Sequence, residues 1–457
     1  MLKGRLLLVG LAASVLGDAR AGSDLLTAWQ AAQQHDLSFA AARAQWQAGH
    51  VKERQARAMF MPQVVATGSA AYVSNERDTQ GAQFKAPGFG ASDDVEFRTK
   101  VDGGRGTAWA LTAQQPLYSA ERSANARQLD RQAKLADIQF HAAEQELILR
   151  TAQAYFDVLQ AQDTLGALEA QKEAAARALD VAKESFDAGA LPVTDLHEAE
   201  AKFDQITTQE LAADSDLQLK RAALSDRTGM PTDSLSRVNP EAPLDRVDPG
   251  PLADWIDRAD RQNSLLAMQE LGRDIARDEV DKFRALTAPT LDLVAQVADD
   301  RVRGDNGFGT TRLTSNTRTI GLQVTIPLFT GGMRSAKRDE AAALAEKARL
   351  ETDAVRQDVH RQARAAWLGV TTGAAQVRAH GQALRSSRTR LDATEVGKEA
   401  GARTMLDLLN AQTDFYAAQR DLAQAKYQLL LNRLRLAAVA GELSESQLRE
   451  VNAHLQP

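Results

Sequence analysis

Residues 319–326 read Thr319-Ile320-Gly321-Leu322-Gln323-Val324-Thr325-Ile326. Even positions are apolar and odd ones are polar or glycine, the two-residue period of a strand with one dry face. Upstream, Leu291, Leu293, Ala295 and Val297 are apolar at odd positions, with Asp292, Gln296 and Ala298 between them. Trp109, Leu111 and Ala113 alternate with Ala110, Thr112 and Gln114 in a weaker copy, and residues 64–74 form the faintest one. The pattern predicts strands at 64–74, 107–117, 290–299 and 317–327. Each is near the ~9–11 residues that a tilted strand needs to cross a bilayer. Polar, glycine-rich residues 75–106 and 299–316 lie within each pair and read as long loops. Long loops on one side of strand pairs suit a membrane barrel, although alternation alone also marks a sheet on a soluble core.

Outside the strands the period changes. No proline lies between Leu117 and Leu191, or between Leu328 and Gln456, and both stretches are rich in Ala, Leu, Glu, Gln, Lys and Arg. These are strong helix formers. Leu147, Tyr155, Val158, Leu165 and Leu168 return to one helix face, as do Leu406, Leu409, Tyr416, Tyr427, Leu430 and Leu434. Gly189 followed by Pro192 is a helix stop, so a helix over 121–188 turns and returns over 193–227. The first of these is about 100 Å long at 1.5 Å per residue.

The chain repeats itself. Gln115-Pro116-Leu117-Tyr118 returns as Ile326-Pro327-Leu328-Phe329, Gly189-Ala190 as Gly401-Ala402, and Thr194-Asp195-Leu196 as Leu406-Asp407-Leu408, at a nearly constant offset. The expected organisation is a signal peptide (1–21), a first repeat (22–230), a linker or equatorial segment (231–262) with a short helix near 252–261, a second repeat (263–442) and a C-terminal equatorial tail (443–457). Each repeat reads helix, two strands and a long helical hairpin. The signal has Lys3 and Arg5, an apolar stretch over 6–16 and a small-x-small site at Ala19-Arg20-Ala21. Two repeats give four strands, too few to close a barrel, and an open edge in lipid is prohibitive. Copies must therefore associate: two give eight strands, three give twelve with a lumen.

Composition narrows the function. Lys and Arg total 55 against 61 Asp and Glu, a formal charge of −6, which argues against a nucleic-acid partner. There is no cysteine, so no disulfide, thiolate metal site or acylated N-terminal cysteine. After the first residues no apolar run is long enough for a membrane helix. The 7 histidines show no metal spacing, and His197-Glu198 lacks a second histidine three residues on. No catalytic constellation, cofactor or metal site is expected, and an enzyme is the least favoured class.

These residues resemble the TolC family of outer-membrane export channels. The resemblance rests on the duplicated plan, on Pro116-Leu117-Tyr118 and Pro327-Leu328-Phe329-Thr330-Gly331-Gly332, and on the hairpin turns at 186–196 and 401–411. It implies a mixed α and β membrane protein of the outer membrane with a large periplasmic portion. Four strands per chain would complete a trimeric twelve-stranded β-barrel, continued by a long antiparallel α-helical barrel. The implied partners are two further copies, outer-membrane lipid, a periplasmic adaptor (membrane fusion) protein and an inner-membrane ABC or proton-driven pump. The implied cargo is a protein, by type I secretion, or small toxic compounds.

The resemblance also assigns residues. Asp407 matches a periplasmic selectivity ring, and Asn410 stands at its second, usually acidic, position. Arg403 is expected to latch onto Thr194 and Asp195, with Lys398 replacing an aromatic of that latch. Gly189, Ala190, Leu191, Gly401, Ala402 and Thr404 are expected as adaptor-docking tips. Local chemistry offers plainer roles: Asp407 complements a helix dipole, Thr194 or Asp195 caps a helix, and Gly189 and Gly401 end helices. The rival function is a soluble periplasmic adaptor or scaffold with long helical hairpins.

Overall fold

The structure, a computed structural model, describes residues 23–190, 192–284, 288–305 and 309–456. The expected signal at 1–21 lies outside them. Helices α1 (Leu25–His35) and α2 (Leu37–Ala58) lead into strands β1 (Gln63–Ala86) and β2 (Gly90–Ser119). Helix α3 (Ala120–Asp187) then turns into α4 (Val193–Thr228). The linker holds strand β3 (Arg237–Val238) and helix α5 (Leu252–Gln262). The plan recurs with α6 (Ser264–Phe283), β4 (Thr290–Asp305), β5 (Thr310–Thr325), α7 (Met333–Glu399) and α8 (Met405–Val439). Helix α9 (Glu445–Asn452) and strand β6 (Leu455–Gln456) end the chain, and β6 pairs with β3, so tail and linker meet.

Strands β1, β2, β4 and β5 form one antiparallel sheet in that order. They depart from the expected limits of 64–74, 107–117, 290–299 and 317–327. The stretch read as a loop at 75–106 is mostly strand, with a tight turn at 87–89. Its ladder carries polar pairs in place of an apolar face: Arg98 lies 2.8 Å from Asp78 and 3.5 Å from Glu76, and Lys100 lies 2.7 Å from Asp102. Apart from Val101, Gly104 and Gly106, its described residues are largely exposed on both faces and display no apolar period, which is why the sequence reads as loop. Strands β4 and β5 likewise run on to Asp305 and from Thr310.

The chain divides into two compact units, each drawing on both sequence repeats. One comprises Gln47–Asp137 and Gln269–Thr352 and holds the sheet. Within it, Gly49 of α2 faces Ala136 of α3 so closely that an added Cβ would lie 2.1 Å from the alanine's. Arg127 and Arg131 of α3 reach Asp278 of α6 at 3.0 and 3.1 Å.

The other unit takes in the described residues of 1–46, 138–268 and 353–457. Its main core packs Tyr155, Phe156 and Leu159 of α3 against Tyr427, Leu430 and Leu434 of α8 and Leu25 of α1. The rings of Phe156 and Tyr427 stack at 5.7 Å. The Tyr155 hydroxyl lies 2.9 and 2.8 Å from the carbonyl oxygens of Ser23 and Ser236, fixing the chain start and the linker to α3. Tyr427 donates to Asp163 at 2.5 Å, with Arg237 3.8 Å from the same carboxylate. Burial pushes the Asp163 carboxyl above its ordinary range, and Tyr427, Arg237 and Lys426 only partly pull it back.

That balance has a pH consequence. A folded-state value above the unfolded one means that stability is full below the ordinary carboxylate range and is lost as pH rises toward the folded value. Asp163→Asn keeps an acceptor for Tyr427 without the charge. The variant is expected to melt above the wild type at about pH 8, with the gap closing by about pH 4, in circular-dichroism melts in detergent.

Candidate functional site

The sheet is the first feature that bears on function. Directly opposed residues share a face. The register sets Leu111 opposite Val297, Ala113 opposite Ala295, Leu293 opposite Leu322, Ala295 opposite Ile320 and Leu291 opposite Val324. All the apolar positions of the alternation therefore fall on one face, and Ile320, Leu322 and Val324 are 76%, 66% and 60% exposed. The other face carries Thr112 opposite Gln296 and Gln296 opposite Thr319, with Asp292 opposite Gln323. Between Pro116 and Tyr118 the register slips, so Leu117 is extra and Tyr118 lands opposite Leu291 on the apolar face. Trp109 and Tyr118 thus flank that face at its two ends. The sequence showed both aromatics, but only the bulge reveals that they share a side. Among the described residues, strands β1 and β5 have partners on one side only, leaving two open edges.

The helical hairpin turns are the second feature. At the end of α3, the N–H of Ala190 donates to the Ser185 carbonyl and that of Gly189 to Phe186, both at 2.8 Å. At the end of α7, Ala402 donates to Gly397 at 2.8 Å and Gly401 to Lys398 at 3.0 Å. Gly189 and Gly401 have the same left-handed φ, 72°. Both turns are Schellman closures, so the repeat holds down to individual hydrogen bonds. Leu191 lies outside the described residues.

The helices that follow start differently. Thr404 caps α8: its hydroxyl accepts the Asp407 N–H at 3.1 Å, and the Asp407 carboxylate accepts the Thr404 N–H at 3.1 Å. This capping box, legible as Thr-x-x-Asp, gives Thr404 a role that its assignment to a docking tip missed. Helix α4 has Pro192 at its cap with no side-chain hydrogen bond, so neither Thr194 nor Asp195 caps it. Asp195 still complements the dipole from the first turn, and the Thr194 hydroxyl donates to it at 3.3 Å.

Below the turns, Ala175, Ala178 and Ala182 of α3, Ala199 and Ile206 of α4, and Met405, Leu408 and Leu409 of α8 form one buried cluster. Its small residues let the helices approach closely. Lys172 bonds Glu210 between α3 and α4, and Arg390 pairs with Asp414 at 2.6 Å between α7 and α8. Sequence reasoning missed both pairs, since neither spacing marks them.

Asn410 is exposed one turn beyond Asp407. Backbone and hydroxyl bonds from Thr404 hold the Asp407 carboxyl below its ordinary range, with help from the charges of Arg403 and Arg390. The Arg403 side chain lies over Gly397, where a Cβ would come within 2.8 Å of its Cγ. Within one chain and among the described residues, Arg403 makes no hydrogen bond or ion pair with Thr194 or Asp195. Lys398 serves the turn through its carbonyl.

Two stability predictions follow from the cap. Thr404→Ala is expected to cost about 1 kcal/mol, read as a lowered Tm in detergent. Asp407→Asn is expected to lower Tm at neutral pH. Because the folded carboxyl is depressed, that difference fades as pH falls below the ordinary carboxylate range.

The sequence matches the family described as outer membrane efflux protein over residues 28–230 and 255–442. It is 31% identical over 342 residues to the outer membrane protein TolC of Vibrio cholerae, covering 75% of this chain and 78% of that one. It is 29% identical over 447 residues to the proteases secretion protein PrtF of Dickeya chrysanthemi, covering 97% and 93%. The fold matches the CmeC outer membrane channel of Campylobacter jejuni with a TM-score of 0.73 at 15% identity, covering 100% of this chain and 98% of that one.

Proposed function

The chain belongs to the outer membrane efflux protein family and is an outer-membrane export channel, and from that premise we propose that three copies close into one conduit. The observation that carries this reading is the four-stranded sheet with one apolar face and two open edges. Unpaired backbone groups in hydrocarbon cost several kcal/mol each, so β5 of one copy pairs with β1 of the next until the ring closes. Eight strands would leave an interior filled by side chains, whereas twelve leave an aqueous lumen. The face with Thr112, Gln296, Thr319 and Gln323 lines that lumen, and the face with Leu111, Leu293 and Leu322 meets lipid. Trp109 and Tyr118 sit at the two boundaries of the apolar band, as girdle aromatics do. The helix-joined strand ends face the periplasm and the opposite ends of the strand pairs face outward.

The helical hairpins then form a periplasmic tunnel whose turns meet a periplasmic adaptor protein and, through it, an inner-membrane pump of the ABC or proton-driven type. Ala190, Ala402 and the residues beside them are the docking tips. The likeness to PrtF along nearly the whole chain favours proteins as cargo. Membership of an outer-membrane family disfavours the soluble adaptor, and the channel has no enzymatic role.

The gate is electrostatic. Three copies of Asp407 around one axis make a ring of negative charge, with Asn410 as its uncharged second tier. In the closed ring Arg403 latches onto Thr194 and Asp195 of a neighbouring copy, with Lys398 beside it. Each exposed link is worth only about 0.2–1 kcal/mol, and the closed state depends on symmetry repeating it.

Native mass spectrometry of detergent-extracted protein should give three chains; a single-chain mass overturns the reading. In planar bilayers Arg403→Ala is expected to raise single-channel conductance. Asp407→Asn is expected to move the reversal potential in a KCl gradient toward zero. Unchanged conductance removes the latch, and an unchanged reversal potential removes the ring.

A further inference from the structure

Above the apolar band the lipid-facing side of the sheet changes character abruptly. The row at its edge holds Trp109, Asp299 and Asn316, which oppose one another across β2, β4 and β5. Two residues farther on, Thr107, Arg301 and Thr314 are opposed. Two beyond those, Arg105, Arg303 and Arg312 stand directly opposite one another, with Tyr72 of β1 opposite Arg105. No register slip intervenes between these rows and Leu111, Val297 and Ile320, so the arginines share the apolar face. They lie about 7 and 13 Å beyond the Trp109 row along the strands.

Like charges directly opposed across strands destabilise a sheet unless something neutralises them. Nearby carboxylates do not. Asp299 is taken by Arg301 at 2.8 Å, Asp102 by Lys100 at 2.7 Å, and Asp305 has a contact of its own. Among the described residues no ion pair reaches Arg105, Arg303 or Arg312, and all three are exposed. Together with Thr107, Arg301 and Thr314 they line a shallow recess in the sheet surface. Arg105 and Arg303 lie on inner strands, so ring closure leaves their strand neighbours unchanged.

We infer that the Arg105, Arg303 and Arg312 row binds the phosphate groups of the phosphorylated glycolipid in the outer leaflet. This rests on the barrel reading, which sets that face toward lipid and that end outward. Guanidinium forks take phosphate oxygens in pairs, and adjacent strands space the forks about 4.8 Å apart. The threonines add hydroxyl donors, and the aromatic side chains of Trp109 and Tyr72 lie at headgroup depth. A ring of three copies carries three such sites, each tying the barrel to the leaflet at a fixed depth.

Detergent-extracted trimer would be titrated with bis-phosphorylated lipid A, with the same lipid stripped of its phosphates, and with inorganic phosphate, and retention read by native mass spectrometry. The wild type is expected to retain the phosphorylated lipid, and the triple Arg105→Gln, Arg303→Gln, Arg312→Gln variant to lose roughly a hundredfold in affinity, about fivefold per arginine. The triple arginine-to-lysine variant, which keeps the charge but not the forks, should fall between the two. Equal retention by wild type and the glutamine variant overturns the site, as does indifference to the lipid's phosphates. Displacement by inorganic phosphate at matched concentration overturns the glycolipid as occupant. Conductance in planar bilayers is scored in parallel: a glutamine variant that conducts normally but loses the lipid supports the site. A wild type that never conducts removes the barrel reading and the site with it.

Discussion

A row of unpaired N–H and C=O groups along β1 and β5 is the constraint on which the rest depends. In water such edges are a hazard that proteins manage with charge or cover, but in hydrocarbon they cannot be tolerated. The sheet solves neither problem alone. Its apolar face, with Ile320, Leu322 and Val324 largely exposed, and its open edges make the isolated chain an incomplete object. In the proposed ring, closure by identical neighbours would satisfy the edges, turn the apolar face to lipid and enclose the polar one in a single step.

The helical hairpins show a different economy. Each long helix ends in the same Schellman closure at Gly189 or Gly401, but the next helix begins with Pro192 in one repeat and with the Thr404–Asp407 capping box in the other. Duplication supplied two equivalent turns, and the difference between them falls where the charged residues gather. The alanines of α3 and α4 bring backbones close beneath Met405, Leu408 and Leu409, so the start of α8 is pinned from below by packing and from its own end by the cap. The pinned turn is a firm mount for a charge.

Legibility followed period and punctuation. The long helices and their turns could be read because proline-free, alanine-rich stretches end at Gly189 and Gly401. The membrane-length part of each strand could be read because one face is apolar. Residues 75–86 and 90–106 could not, because strands that are largely wet on both sides, with Val101 a lone buried apolar side chain, and held by pairs such as Arg98 with Asp78 have no hydrophobic signature. The bulge at Leu117 was equally hidden, since it is defined by its partner strand and not by its own composition. Pairs distant in sequence, such as Arg390 with Asp414 or Tyr427 with Asp163, carry no local spacing at all. Thr404-x-x-Asp407 was visible as a motif, yet the family resemblance drew the threonine toward another role.

Asp407 completes the capping box of α8, and in the proposed gate the same side chain would also carry the charge of the ring. Both bonds from Thr404 fall on one carboxylate oxygen, Oδ2. The cap therefore orients the group while leaving Oδ1 without a bond from Thr404. A free aspartate on a helix surface samples several rotamers, whereas a capping aspartate is confined and its charge has a fixed address. The same bonds depress its pKa, which in the proposed ring would oppose the repulsion that two neighbouring copies add. Three flexible carboxylates near one axis could relax by turning away or by taking up a proton. In the proposed ring, three capped ones would resist both. The helix start thus supplies what a ring of like charges lacks by itself, a local reason to stay in place and stay charged.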